Sequence, residues 1–280
     1  MSTLRTELFN VPSAEAKPIL ETKSLTRRFG ALTAVDGLGI SVQPGEIFGL
    51  VGPNGAGKTT VIKMLTTLLP PTSGDAWVAG YDIVHYAAQV RRVIGYVPQL
   101  LSADGSLTGR ENLLIFAKLY HIPRTDREER IRDALTFMGL AEVANKMVRD
   151  YSGGMIRRLE IAQSMLHRPR ALFLDEPTVG LDPVARKAVR EHIQRLRADY
   201  GTTILLTTHY MEEADELCSR VAIMHLGKVV AIGSPAELKA SIGEGATLDD
   251  VFVYYAGHEV DLGGNYREVS RTRRMARRLA

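Results

Sequence analysis

The chain has 280 residues and a net charge of +3, with 45% hydrophobic and 24% charged residues, so it is long enough for one large globular domain or two small ones. Six arginines and one glutamate give the last fifteen residues a net charge of +5 and leave −2 on the rest, so the body lacks the basic character of a nucleic-acid-binding protein. The single cysteine, Cys218, excludes an internal disulfide and a cysteine-based metal site, and no apolar run reaches the roughly 18 residues that a membrane span requires.

The beginning of the chain predicts a flexible leader followed by two strands. Residues 1–18 place Pro12 and Pro18 among polar residues without a steady period. Strand-like patterns follow over residues 19–28 and 33–42.

A glycine-rich loop after the next apolar run, residues 46–51, predicts a phosphate-binding P-loop between a strand and a helix. Its glycines let main-chain N–H groups approach phosphate oxygens, Lys58 adds a positive charge, and Thr59 offers a hydroxyl to Mg²⁺. The phosphate-binding stretch consists of Gly52, Pro53, Asn54, Gly55, Ala56, Gly57, Lys58, Thr59 and Thr60. The alternative is a simple turn, which the full match to the pattern disfavours.

Two residues near this loop carry weaker signals. Phe29, between the first two strands, could stack on an adenine ring, and the alternative is a half-buried strand aromatic. Gln99 ends the second of two short strand patterns, residues 74–79 and 93–97, where a polar turn residue is the usual case.

The middle of the chain is helical in pattern over residues 108–150, beginning with a capping box formed by Thr108 and Glu111. Next, Ser152 caps a helix that ends before Pro169, and the glycine pair after Ser152 leaves backbone N–H groups exposed at the helix N-terminus. The sequence therefore predicts a second anion site, and an ordinary capped helix is the alternative.

Acidic residues follow a buried-strand pattern at residues 171–174. Asp175 can hold Mg²⁺ through its hydration shell, and Glu176 can orient or deprotonate a water molecule. Asp182 caps the next helix. A further buried strand ends at His209, for which a structural role is the alternative to ligand contact.

The last part of the chain predicts a hairpin over residues 220–232 and a capping box at Ser234 and Glu237. A short apolar island, residues 251–255, precedes the arginine tail. The tail could be a basic helix at an anionic membrane surface, and a disordered solvated tail is the preferred reading.

The order and spacing of these stretches resemble the ATP-binding subunit of ABC transporters over residues 19–238. The motifs that carry the resemblance are Walker A (Gly52 to Thr60), the Q-loop (Gln99), the signature (Ser152, Gly153 and Gly154), Walker B (residues 172–176), the D-loop (Asp182 with the two residues before it) and the switch histidine (His209). Phe29 falls where the family places its adenine-stacking aromatic. The signature departs from the usual form by having Met155 where the family has glutamine.

The resemblance implies an α/β fold: a P-loop NTPase core with a mainly parallel sheet, an N-terminal antiparallel β subdomain and an inserted helical subdomain at about residues 101–150. The ATP-binding domain would span residues 19–240, and residues 241–280 would form a C-terminal extension with a basic tail.

The same resemblance implies ATP and Mg²⁺ as ligands. Glu176 would activate the attacking water and His209 would contact the γ-phosphate, with Lys58 and Gln99 completing the catalytic set. Thr59, Gln99 and Asp175 would attend to Mg²⁺. Phe29, the Walker A residues, the signature residues and Asp182 would bind nucleotide.

The implied partners are a second ATP-binding subunit, as a homodimer, and an integral membrane permease, without nucleic acid. The protein would then be peripheral, on the cytoplasmic side of the cell membrane. The Tyr-Ser-Gly-Gly-Met signature and the Leu-Asp-Asp-Val-Phe stretch at residues 248–252 look like the daunorubicin-resistance branch, which implies export of a drug-like or lipophilic compound. The alternatives are an importer subunit, a soluble ABC ATPase acting on a macromolecular complex, and a nucleotide sensor without turnover.

Overall fold

Two β-sheets with surrounding helices make up the structure, a computed structural model that describes residues 17–260. Most of the predicted leader and all of the arginine tail lie outside the described residues. Within the described part of the chain, none of the helices combines the length and the apolar character needed to cross a membrane.

In the described residues, the first four strands follow one another without a helix, and helices separate most of the later strands. In chain order the strands are β1 (Leu20–Phe29), β2 (Leu32–Leu38), β3 (Ser41–Val42), β4 (Ile47–Val51), β5 (Ser73–Val78), β6 (Tyr81–Asp82), β7 (Ile94–Val97), β8 (Ala171–Asp175), β9 (Thr203–Thr208), β10 (Arg220–His225) and β11 (Lys228–Gly233).

Among the described residues, every helix follows strand β4 in the chain. They are α1 (Lys58–Leu65), α2 (Ala87–Val93), α3 (Gly109–Leu119), α4 (Arg124–Phe137), α5 (Gly153–Met165), α6 (Pro183–Tyr200), α7 (Met211–Leu217), α8 (Pro235–Ala240) and α9 (Leu248–Val260), with short 3₁₀ turns at Ala141–Val143 and Val148–Asp150.

The first sheet is antiparallel and has the strand order β2-β1-β5-β6, with β3 also paired to β1. The second sheet has the order β11-β10-β4-β9-β8-β7; all neighbours are parallel except the edge pair β10 and β11. Both sheets confirm the expected α/β fold class.

Parallel pairing in the second sheet follows from strands that are apolar on both faces. Every residue of β4, β8 and β9 is buried, as expected for central parallel strands covered by helices. Because the carboxyl ends of parallel strands lie at one edge of a sheet, the P-loop after β4, Asp175 at the end of β8 and His209 after β9 come together there.

Alternate residues of β4 divide the interior into two cores. Phe48 and Leu50 pack into the cluster that also holds helix α1 and the antiparallel sheet, whereas Ile47 and Val51 pack into the cluster that holds α3 to α6. The P-loop strand is therefore fixed from both sides.

The region between β7 and α5 contains α3 and α4, which pack on α5. Its capping box is present: Thr108 accepts from the Glu111 N–H, and the Glu111 carboxylate accepts from the Thr108 N–H.

Two predictions of secondary structure need correction. The strand predicted over residues 93–97 begins at Ile94, because Val93 is the last residue of helix α2. The single strand predicted over residues 33–42 is divided between β2 and β3. The apolar island at residues 251–255, for which the sequence predicted no element, is part of helix α9, whose buried Leu248 and Val251 pack against α7, α8 and β11.

Candidate active site

The P-loop closes tightly where its glycines approach other backbone segments. A Cβ atom at Gly52 would lie 2.2 Å from the Met224 carbonyl oxygen, and one at Gly57 would lie 2.4 Å from the Ala34 carbonyl oxygen. Gly57 also has φ +103, a conformation that favours glycine. The open side of the loop is formed by Asn54 and Gly55, which are exposed.

Lys58 directs its charge into the loop. Its ammonium group donates to the carbonyl oxygens of Gly52 (2.7 Å) and Pro53 (3.1 Å), and lies 3.0 Å from Glu176 Oε1. The side chain is only 5% exposed. This geometry brings a cation and an acid from distant parts of the sequence together at the carboxyl edge of the sheet.

Glu176 is held from three directions. Oε1 pairs with Lys58, and Oε2 lies 2.8 Å from His209 Nδ1, which therefore carries the proton of that hydrogen bond. Its backbone N–H donates to the Thr207 hydroxyl oxygen (2.9 Å). Glu176 has φ +50, which is sterically costly for a residue with a side chain and is found mainly where the surrounding structure compensates.

Asp175 forms a second set of contacts beside the contacts of Glu176. Its Oδ1 accepts from the Thr59 hydroxyl (3.1 Å) and from the Thr207 hydroxyl (2.6 Å), and the carboxylate is buried. Burial, reinforced by the negative charge of Asp175, raises the pKa of Tyr96 to about 12, so this phenol stays neutral beside the acid.

The Thr59 and Asp175 oxygens fit a magnesium site, because Mg²⁺ prefers oxygen ligands and is usually held by one or two carboxylates together with substrate phosphates and water. Gln99, predicted to join them, has an exposed side chain; its main-chain carbonyl accepts from Arg157 Nη2 (2.6 Å).

The predicted signature residues lie on a separate, exposed surface. Ser152 and Gly153 are exposed, and Ser152 Oγ accepts from the Met155 N–H (3.3 Å) at the start of α5. Gly154 is buried against α6, where an added Cβ would lie 2.6 Å from Ala185 Cβ. Asp182 caps α6 by accepting from the N–H groups of its first turn.

Phe29 is an exposed residue among the predicted ligands. It is 45% exposed at the end of β1, and the Arg27 guanidinium lies 4.5 Å from the ring centroid. One face of the ring thus makes a cation–π contact within the chain.

Four further residues of this region were missed by sequence reasoning. Thr207 bridges Asp175 and the Glu176 N–H; the parallel register of β8 and β9 places it opposite Asp175, and polar residues closing a buried strand were the available signal. Arg157 and Glu160 form a buried ion pair on α5, and buried Glu213 accepts from the Thr178 hydroxyl (2.7 Å). Burial raises the pKa of Glu213, and the charge of Glu176 adds to this shift.

Comparison with known proteins gives a consistent picture. The sequence profile described as ABC transporter matches residues 35–179. The chain is 44% identical over 224 residues to the daunorubicin/doxorubicin resistance ATP-binding protein DrrA of Streptomyces peucetius, covering 80% of this chain and 68% of that protein. It is 39% identical to the linearmycin resistance ATP-binding protein LnrL of Bacillus subtilis, covering 80% of this chain and 72% of that protein.

Solved structures share the fold. An ATP-binding subunit of an ABC transporter superposes with a TM-score of 0.75 at 31% identity, covering 85% of this chain and 99% of that one. An ATP-binding cassette in a dimeric post-hydrolysis state, bound to ADP and phosphate, superposes with a TM-score of 0.69 at 24% identity, covering 77% of this chain and 98% of that one.

Proposed function

The chain belongs to the ABC transporter family as an ATP-hydrolysing subunit, and on this premise we propose that it powers the export of a drug-like or lipophilic compound through a separate membrane permease. The observation that carries the ATP-hydrolysing part of this proposal is the line of contacts from Lys58 through Glu176 to His209, built at the mouth of the P-loop.

The proposed catalytic step begins with a change of partner for Lys58. The γ-phosphate of ATP competes with Glu176 for the lysine ammonium group, because both are anions that can lie within hydrogen-bond reach of it. Glu176 Oε1 is then free to accept a proton from the attacking water, while His209 keeps Oε2 oriented and contacts the γ-phosphate. His209 and Glu176 thus act together.

Magnesium, when bound, would neutralise charge on the β- and γ-phosphates. Thr59 and Asp175 would hold it, with Gln99 reaching it after a movement of the Q-loop. Thr207 holds the Asp175 carboxylate in place for this role.

We also propose that two copies close face to face around ATP. Ser152 and Gly153 are exposed at the N-terminus of α5, where backbone N–H groups and the helix dipole favour an anion. This surface supports contact with the γ-phosphate bound by the other copy, with Asp182 beside it. Phe29 would stack on the adenine through its exposed face.

The permease would bind the exposed apolar side chains near the helical subdomain. Leu100 is 82% exposed, and Leu101, Ile115 and Leu119 also face outward. Such a patch indicates a protein or membrane contact. We propose that the subunit lies on the cytoplasmic face of the membrane through this permease and that it has no nucleic-acid partner.

Export is preferred to import because the similar proteins are named for drug resistance, linearmycin resistance and, in Ralstonia nicotianae at 43% identity, Nod factor export. The ATPase core itself is compatible with either direction. Copurification of the permease, followed by transport into inverted vesicles, distinguishes the two directions.

The test of the proposed chemistry is Glu176→Gln. An amide keeps the size of the side chain but cannot accept the proton, so hydrolysis falls by about 100-fold or more while ATP binding persists. A closed dimer of this variant then accumulates in the presence of ATP and is detected by light scattering. The control is Glu212→Gln, an exposed glutamate on α7, which leaves turnover near wild type. Wild-type hydrolysis by Glu176→Gln contradicts the assigned role.

A further inference from the structure

Helix α5 carries a buried ion pair that the proposed chemistry does not use. Arg157 Nη1 lies 3.0 Å from Glu160 Oε2, and the two residues are only 1% and 3% exposed. Burial lowers the pKa of Arg157, and the charges of Glu160 and Asp175 oppose that shift.

Arg157 also anchors the first half of the Q-loop, by which we mean the segment of residues 98–104 around Gln99. Its Nη1 donates to the Pro98 carbonyl oxygen (2.7 Å), and its Nη2 donates to the Gln99 carbonyl oxygen (2.6 Å). The planar guanidinium group can hold both carbonyls and Glu160 at once, which a lysine cannot do.

Glu160 anchors the second half of the same loop. Its Oε1 accepts from the backbone N–H and the hydroxyl of Ser102, the latter at 3.1 Å, and from the backbone N–H of Ala103 at 3.3 Å. Asn112 on α3 adds to this anchor by accepting from the Asp104 N–H (2.9 Å) and donating to the Asp104 carbonyl oxygen (3.0 Å).

Between the two anchors, the tip of the loop points outward. Leu100 is 82% exposed and Leu101 is also exposed. The loop thus has two flanks held by one buried pair and an apolar tip available to a partner. Ser152 lies at the N-terminus of the same helix that carries the pair.

A buried ion pair contributes little stability compared with apolar residues of similar volume, because desolvation of the charges offsets their attraction. What this pair does provide is a defined geometry: it satisfies two carbonyls and two backbone N–H groups of a loop without regular secondary structure. The main effect of this ion pair is therefore to fix the position of the Q-loop relative to α5.

We propose that Arg157 and Glu160 are positioning residues that join the Q-loop and helix α5 into one rigid unit. A push on the Leu100–Leu101 tip is thereby transmitted to the Ser152 end of the helix, which meets the nucleotide of the other copy. The inference rests on the proposed function, since it requires dimer closure around ATP. The hydrogen bonds of the two side chains go to residues 98–103 and to each other rather than to the P-loop, so we expect their effect to be on closure and not on ATP binding by one copy.

The test is Arg157→Lys combined with Glu176→Gln, compared with Glu176→Gln alone. Lysine keeps the charge opposite Glu160 but cannot hold both carbonyls. We expect the ATP concentration for half-maximal dimerisation, measured by light scattering, to rise between about 5-fold and about 100-fold, the usual range of coupling between sites. ATP affinity of the monomer, measured with a fluorescent analogue at low protein concentration, stays within about twofold of that of Glu176→Gln alone, a change below that coupling range.

The matched control is Arg158→Met in the same background. Arg158 is the next residue of α5 and also donates to a backbone carbonyl, that of Met138 just after α4 (2.8 Å), which lies outside the Q-loop. We expect the Arg158→Met substitution to leave the ATP dependence of dimerisation unchanged. The double variant Arg157→Met with Glu160→Met, which leaves no charge unpaired, shifts dimerisation at least as much as Arg157→Lys.

The outcomes separate the inference from the proposed function. If Glu176→Gln itself forms no ATP-dependent dimer, the proposed function fails. If Glu176→Gln dimerises and Arg157→Lys leaves the ATP midpoint unchanged, the positioning role is wrong. A parallel loss of monomer ATP affinity also overturns it, because the pair would then act on the whole nucleotide site. If the double variant does not fold, the result for Arg157→Lys by itself decides whether the positioning role is right.

Discussion

At the scale of single residues, the most informative feature is the sharing of Glu176 between a cation and an imidazole. Lys58 occupies one carboxylate oxygen and His209 the other, so the acid is fully engaged in this structure. Binding of a phosphate anion is the simplest way to withdraw the lysine, since the positive charge then gains a new partner. In the proposed function, nucleotide binding thereby frees Glu176 to act as the general base.

Glu213 is a buried acid close enough to Glu176 for the two charges to interact, and the charge state of Glu213 affects the stability of the folded protein. Burial raises the pKa of Glu213 in the folded state above its ordinary value. The protonated form therefore contributes stability that is fully present below the unfolded-state pKa and is lost as pH rises through the folded-state pKa.

We therefore expect Glu213→Gln to be more stable than the wild type near pH 7, by about 1.4 kcal/mol for each unit of the pKa shift. Glutamine stays neutral at every pH and can accept from the Thr178 hydroxyl in the same way. The gain disappears as pH approaches the ordinary pKa of a glutamate, about 4.3. Urea unfolding at several pH values measures both effects.

The exposed Glu212→Gln serves as the control, because a solvated acid has no burial cost to remove. A Glu213→Gln variant whose stability difference from the wild type is the same at both ends of this pH range contradicts the raised pKa of Glu213.

At the scale of elements, the contact between α5 and α6 joins the Ser152 tip to the Asp182 tip. Gly154 permits it, because a Cβ there would lie 2.6 Å from Ala185 Cβ, closer than real side chains approach. Both helices begin with side-chain caps at the same surface. The close approach sets how the two N-termini face a partner.

Replacing Gly154 by Ala is expected to cost about 1–3 kcal/mol of stability, because the added methyl group forces the helices apart. The change is measured by urea unfolding. Ala185→Gly alone also lowers stability, by up to about 1 kcal/mol, since glycine is a poor helix former.

The double variant Gly154→Ala with Ala185→Gly provides the matched test, because the second change removes the atom that collides. We expect it to be more stable than Gly154→Ala alone, although Ala185→Gly is destabilising by itself. If the stability loss of the double variant equals the sum of the two single losses, the contact between positions 154 and 185 is not the cause of the destabilisation by Gly154→Ala.

At the scale of the whole molecule, the proposed dimer depends on two separate surfaces of the described residues. The P-loop edge holds Lys58, whereas the exposed N-terminus of α5 holds Ser152. In the proposed dimer each copy supplies one feature to each nucleotide. ATP therefore acts as part of the interface, and its hydrolysis weakens the contact between copies.

Ser152→Leu tests this arrangement in the Glu176→Gln background. The larger apolar side chain blocks the helix N-terminus, so ATP-dependent dimerisation is lost while monomer ATP affinity stays within about twofold, as expected when only the interface is altered. Light scattering and titration with a fluorescent analogue measure the two quantities.

The matched control is Ser234→Leu, which removes a capping serine from α8. Each substitution costs about 1 kcal/mol of helix stability through the lost cap. Only the change at Ser152 is expected to affect dimerisation. If the two variants dimerise equally, Ser152 does not meet the nucleotide of a second copy.

Much of the fold could be predicted from the sequence because its signals are local. The P-loop, the capping boxes at Thr108 and Ser234 and the Asp182 cap each depend on residues within a few positions of one another. Fully apolar strands likewise predict a parallel sheet with its polar residues at one edge, where Asp175 and His209 lie.

Only the tertiary structure decided which distant side chains meet. Thr207 at Asp175, the Lys58–Glu176 pair, the Arg157–Glu160 anchor on the Q-loop and the burial of Glu213 all join segments far apart in the chain. Their residue types are common on exposed surfaces, and a sequence pattern does not reveal which polar side chains the packing will bury. Burial and register arise from the assembled sheets and helices, so these contacts exist only once the chain has folded.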